Sequence, residues 1–192
     1  MAIRQPRGQP PPKGEWSHYH GMRMTEAEYL ALDDAEETDL EYVDGVAVEK
    51  GVVDRNHRAI AGQIDGWFWQ YWREHGGEFG PEGRVRLPAG NRRKPDAAYF
   101  VAGTHAGDDA IPTIAVEVRS PGDTMAAQRR KCREYREAGV LACWLIDPIS
   151  RTDEVFEDDL DGEPLPVDGA ITSRHLPGFE LPLADLFAVL ER

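Results

Sequence analysis

The sequence predicts an α/β fold, a β-sheet flanked by helices, from three observations. A β-prone run, Thr113 to Val118, precedes a helix-forming stretch from about Met125 to Ala138. A wholly apolar run, Leu141 to Ile146, follows it, which is the order of a βαβ crossover. From Asn56 to about His75, the residues Ile60, Ile64, Trp67, Phe68 and Tyr71 recur at helical spacing. Two β-prone runs flank Asp44-Gly45, a strong hairpin signal.

The remaining elements follow in chain order. Residues 1–22 are rich in Pro, Gly and basic side chains, with Pro10, Pro11 and Pro12 in a row. Such a segment buries too little apolar surface to offset its ordering entropy, so the sequence predicts a flexible tail over 1–22 and a single domain over 23–192. His18 and His20 close that tail, and a lone His-x-His there is weak evidence for a metal. Thr25 and Glu28 have capping-box spacing, which predicts a short helix from Thr25 to about Leu32. In the hairpin, Glu41 lies on the first strand and faces opposite to Leu40 and Tyr42. Gly76-Gly77 stops the helix that begins near Asn56.

The aromatic residues of that helix suit core packing or an interface better than base stacking. Trp69 and Trp72 widen its apolar surface, which points to self-association. Strands are predicted at Arg84 to Leu87, Ala97 to Val101 and Thr113 to Val118. Asp123 or Thr124 caps the next helix and Gly139 ends it. The apolar strand stops at Asp147-Pro148. Beyond it come a strand near Glu154 to Glu157, an acidic turn, a strand around Ile171 and a closing helical segment, Leu183 to Leu190.

Composition bounds the chemistry. At 192 residues with 41% hydrophobic and 30% charged side chains, the chain has an ordinary globular balance and can bury a sizeable core. No run is long enough to span a membrane, and the first residues lack the apolar stretch of a secretory signal, so the cytoplasm is the expected compartment. Cys132 and Cys143 form no CxxC pair and read as two buried small side chains in a reducing compartment.

The net charge of −13 disfavours nucleic-acid binding, because phosphate backbones repel acidic surfaces. The charges are unevenly spread, however. Acids crowd Glu26 to Glu49 and Asp153 to Glu163. Arg84, Arg86, Arg92, Arg93 and Lys94 form one basic group, and Arg129, Arg130, Lys131, Arg133 and Arg136 form another. These groups are either a face for phosphates or ordinary solvated charge.

Two acids carry the candidate chemistry. Asp96 follows Pro95 and opens a strand; Glu117 lies between Val116 and Val118 inside the next one. An acid within an apolar strand must be exposed, paired or metal-bound. Two carboxylates converging from neighbouring strands are the usual ligands of Mg²⁺, and a metal held so can activate water for phosphodiester hydrolysis. The bland alternatives are a strand-opening Asp96 and a Glu117 paired with a basic side chain. Ser120 lacks a histidine–acid partner that would make it a nucleophile. His57 reads as a cap or surface group, and His105 as a loop residue.

Pro95-Asp96 followed by Glu117-Val118-Arg119 resembles the PD-(D/E)XK nuclease signature. The wider chain resembles the Uma2 family of restriction-endonuclease-like proteins from Met24 to its end. The matching segments are Met24 to Tyr29, Leu40 to Gly45, Lys94-Pro95-Asp96, Val116 to Pro121, Lys131 with Tyr135, Gly139-Val140, Trp144 to Pro148 and Leu176 to Phe179. The resemblance implies a restriction-endonuclease-like mixed central sheet flanked by helices. It further implies a metal-dependent endonuclease cutting DNA with Mg²⁺ or Mn²⁺, acting as a homodimer. Asp96, Glu117 and the Val118 main-chain carbonyl would ligate the metal, and Glu41 would add a further acid. Arg119 departs from the signature lysine; it cannot act as a base but can hold a phosphate. Lys131 is the candidate for a migrated lysine. The alternatives are a nuclease fold that binds or assembles without cutting, and a nuclease acting on RNA or branched DNA.

Overall fold

The computed structural model describes residues 18–36, 39–51, 53–80, 83–104 and 109–191. The first seventeen residues of the expected tail and His105 lie outside the described residues. The chain divides into two units, Met1–Lys50 and Gly51–Arg192.

In the first unit, Thr25 and Glu28 close a reciprocal capping box. The Glu28 N–H donates to Thr25 Oγ1 at 3.2 Å, and the Thr25 N–H donates to Glu28 Oε2 at 2.8 Å. The helix they start, α1 (Glu26–Glu36), runs a turn beyond the expected Leu32. Strands β1 (Leu40–Val43) and β2 (Val46–Glu49) pair antiparallel. Asp44 and Gly45 between them both take positive φ, 51° and 79°, as a tight hairpin turn requires. Tyr29 stacks on Tyr42 at 5.2 Å, and each hydroxyl donates to a backbone carbonyl, of Leu40 and Met24 respectively. Leu40 and Ala47 complete this small core. His20, placed by sequence in the tail, accepts the Glu49 N–H through Nδ1 at 3.1 Å.

The second unit opens with α2 (Arg55–His75), capped by Asp54, whose side chain accepts the His57 N–H. Short strands follow: β3 (Glu78–Gly80), β4 (Val85–Arg86) and β5 (Arg92–Arg93). Then come β6 (Ala97–Phe100), β7 (Ile114–Val118), α3 (Met125–Ala138), β8 (Ala142–Asp147) and β9 (Thr152–Phe156). The chain closes with β10 (Glu163–Pro164), β11 (Ala170–Thr172), β12 (Glu180–Pro182) and α4 (Leu183–Ala188).

Six strands form a sheet in the order β10-β9-β8-β7-β6-β3. Only the β7–β8 pair is parallel, joined through α3 as the crossover predicts, so the sheet is mixed. Thr124 caps α3 by accepting the Ala127 N–H, and Gly139 ends it in the left-handed region at φ 105°. Gly77 is a second position that needs glycine: its φ is 99°, and a Cβ there would lie 2.3 Å from the Phe100 carbonyl oxygen.

The helices cover opposite faces. On one, Ile60, Ile64 and Phe68 of α2 pack on Tyr99, Ile114, Val116, Trp144 and Ile146, with α4 closing the same core. On the other, Cys132 and Tyr135 of α3 pack on Ala115, Cys143 and Leu145. Both cysteines are free and buried, and burial first of all pushes the Cys143 thiol well above its usual pKa. Among the described residues, no helix is long and apolar enough to cross a membrane.

Asp153 violates the apolar rule of the α2 face. It pairs with Ile146 across the sheet and is buried, and among the described residues neither carboxylate oxygen has a hydrogen-bond partner of normal geometry. Burial pushes its pKa up to about 6; its own backbone N–H opposes the shift and the Glu154 charge adds to it. A carboxyl whose pKa rises on folding binds its proton more tightly in the native state. The fold is therefore penalised as pH climbs from about 4 through 6, and fully so above that. Asp153→Asn, a mimic of the neutral acid, is expected to match the wild type below about pH 4 and to exceed it by up to about 3 kcal/mol above pH 7. Urea denaturation across that range measures the difference.

Candidate active site

Glu117 enters the core through strand alternation. It faces the same side as Ala115 and pairs with Leu145, so its carboxylate lies under α3 at 1% exposure. Two side chains one helical turn apart meet it. Lys131 Nζ donates to Oε2 and the Tyr135 hydroxyl donates to Oε1, each at 2.9 Å. The i, i+4 spacing on α3 puts both donors on one face, and burial makes the loss of either charged partner costly because the other is left uncompensated.

Asp96 stands just before β6, and its own N–H donates to the Val116 carbonyl at 2.9 Å. Its Oδ2 accepts the Val118 N–H at 2.8 Å, which holds the carboxylate against the peptide that follows Glu117. The same oxygen lies 3.0 Å from Nε2 of His57, on the first turn of α2. The two acids are thus neighbours along the sheet, while their side-chain partners come from helices on opposite faces. Among the described residues, no group of three or more His, Cys, Asp or Glu side chains is arranged to hold a metal ion.

The family model Uma2, described as "Putative restriction endonuclease", matches residues 26–184. The chain belongs to the Uma2 family. Among solved structures, a putative nuclease belonging to DUF820 from Anabaena variabilis superposes with a TM-score of 0.74. It is 20% identical, over 87% of this chain and 99% of that one, a likeness that shows the fold. No curated protein matches the chain.

Two further candidate residues of this Uma2 chain are Arg119 and Glu41. Arg119 turns to the end of β8, where Nη1 donates to Asp147 Oδ2 at 2.7 Å and Nε donates to the Asp123 carbonyl. Burial works to raise the Asp147 pKa, but bonds from the Ser150 hydroxyl, the Ile149 N–H and Arg119 hold it below the ordinary value. Glu41, on β1 of the first unit, is buried at 3% exposure.

The basic groups are neither an open face nor solvated charge for the most part. Arg93 forks onto Glu134 and Arg129 onto Glu154, Arg133 donates to Asp161 and to the Leu160 carbonyl, and Arg92 pairs with Asp109. Arg86, Arg129 and Arg130 are the exposed members, Arg130 lying 3.7 Å from Glu134. The aromatic stripe divides. Phe68, Trp67 and Tyr71 pack inward against Phe179, while Trp69 and Trp72 are 47% and 41% exposed, with the Arg73 guanidinium over the Trp69 ring.

His57 is the residue that sequence reasoning missed. It is buried, at the head of the α2 stripe that continues through Ile60, Ile64 and Phe68. Extending that apolar period one step toward the N-terminus would have found it.

Removing Lys131 leaves Glu117 as an uncompensated buried charge. Lys131→Met is expected to cost about 3–5 kcal/mol. In the double variant Lys131→Met/Glu117→Gln most of that loss is recovered. Guanidinium denaturation of the four proteins of the cycle measures the coupling.

Proposed function

We propose that this chain is a metal-dependent endonuclease that hydrolyses phosphodiester bonds in DNA. The family description supports this, and one observation carries it: the Val118 N–H holds the Asp96 carboxylate at 2.8 Å, beside the Glu117–Val118 peptide. Two buried acids from adjacent strands then flank one main-chain segment, in the order the nuclease signature requires.

The donor set fits a hard cation. Asp96, Glu117 and the Val118 carbonyl offer only oxygens, and Mg²⁺ typically takes one or two carboxylates and completes its shell with water and substrate phosphate. A full protein cage is not needed. When bound, Mg²⁺ or Mn²⁺ would supply an activated water and charge neutralisation at the phosphate. The remaining work falls to side chains. Lys131 keeps an ammonium beside Glu117, where it can meet a developing negative charge, and Tyr135 fixes the orientation of the carboxylate. Arg119 is tethered by Asp147 at the end of β8, whereas Lys131 is tethered by a candidate metal ligand itself.

A second reading, a nuclease fold that binds or assembles without cutting, draws on the same contacts. Both Glu117 oxygens are met by Lys131 and Tyr135, and the signature lysine position is an arginine engaged elsewhere.

Supercoiled plasmid with Mg²⁺ or Mn²⁺ separates the two. Under the first reading the wild type nicks or linearises DNA, Asp96→Ala and Glu117→Ala abolish this, and Lys131→Met slows it by about 10²-fold. Equal activity in all four would exclude this site, and inactivity on plasmid, branched DNA and RNA alike would favour the second reading. Cutting both strands calls for two active sites, and the exposed Trp69 and Trp72 offer a face for a second copy. Sedimentation of Trp69→Glu/Trp72→Glu as a monomer, against a wild-type dimer, is the expected result.

A further inference from the structure

His57 has no part in the chemistry set out above, yet its ring reaches a candidate ligand from α2. Three features fix it there. Asp54 accepts its backbone N–H at 2.8 Å and so sets the first turn of the helix. Ile60, Ile64 and Phe68, fully buried below it on the same face, anchor that helix to the sheet. The ring is itself 6% exposed, and Nε2 lies 3.0 Å from Asp96 Oδ2. An ionised carboxylate only accepts hydrogen bonds, so the proton on this contact belongs to Nε2. Asp96 Oδ2 therefore receives two donors from rigid elements, the imidazole of α2 and the Val118 amide of β7. Nδ1, by contrast, is buried with no hydrogen-bond partner among the described residues. A buried polar atom left unmatched costs free energy, and the ring bears that cost while Nε2 serves Asp96.

We propose that His57 is a positioning residue for the metal site, holding the Asp96 carboxylate in its ligating orientation through the Nε2–H bond. The proposal rests on the reading that Asp96 is a metal ligand. Partners that orient a ligating side chain are commonly worth 10- to 100-fold in metal affinity. The effect belongs to one hydrogen bond at one reach from the backbone. The amide nitrogen of glutamine can occupy the place of Nε2, whereas that of asparagine stops short of it.

Mn²⁺ binding to the full chain, followed by calorimetry and by the electron paramagnetic signal of the free ion, tests this without recourse to activity. Wild type, His57→Gln, His57→Asn, His57→Leu and Asp96→Asn are compared, with circular dichroism on each. The expected pattern is loss of binding in Asp96→Asn, a 10- to 100-fold weakening in His57→Asn and His57→Leu, and recovery toward wild type in His57→Gln. Should His57→Leu fail to fold, the Gln and Asn pair still decides the matter. Equal Mn²⁺ affinity in those two variants overturns the positioning role, while a loss confined to Asp96→Asn leaves the metal site standing. Undiminished binding in Asp96→Asn, or none in the wild type, removes the metal reading and this proposal with it.

Discussion

One buried charge organises the centre of the molecule. Glu117 sits in a strand whose other residues, Ile114, Ala115, Val116 and Val118, are all apolar, and its carboxylate is shut off from water. Such a group is tolerated only if partners arrive with it. Lys131 and Tyr135 provide them from a single helix, so α3 must dock at one register on β7 and β8. Its ends are defined accordingly, by the Thr124 cap and the left-handed Gly139. The right-handed β7–α3–β8 crossover expected of parallel strands then becomes the frame that carries an ion pair. Hydrophobic packing alone would let α3 slide by small steps; the Glu117 contacts do not.

Asp96 imposes a second constraint from the other helix. Its carboxylate ties the first turn of α2 to the backbone of β7 through His57 and Val118. Both flanking helices are thereby keyed to two successive residues of one strand, α3 to the Glu117 side chain and α2, through Asp96, to the Val118 N–H. The stretch from Val116 to Val118 is the place where the two layers of the unit are registered to each other, with the sheet between them.

Much of this was legible in the sequence because periodicity reports burial. The long helices and the crossover came out within a residue or so of their ends. The turn at Asp44-Gly45 and the caps at Thr25, Thr124 and Gly139 each carried their own chemical signature. The short strands Glu78–Gly80, Arg92–Arg93, Glu163–Pro164 and Glu180–Pro182 did not, since two or three residues show no period. At the site, Asp96 and Glu117 stood out as acids in β-prone surroundings, but the reach of Lys131 depended on helix phase against the sheet. His57 escaped because histidine reads as polar while occupying an apolar slot. The basic clusters misled for a related reason: Arg93 meets Glu134 and Arg129 meets Glu154 across 41 and 25 residues of chain, distances over which sequence gives no hint of pairing.

Those internal pairs have a consequence for any polyanion that approaches. Arg93, Arg129 and Arg133 already carry carboxylate counter-charges, so they are poorly placed to neutralise phosphates and release the cations condensed on a polyanion. Affinity gained by releasing counterions is correspondingly small, and association with a charged polymer would depend only shallowly on ionic strength. Contact would then have to come from shape and from a few well-placed groups.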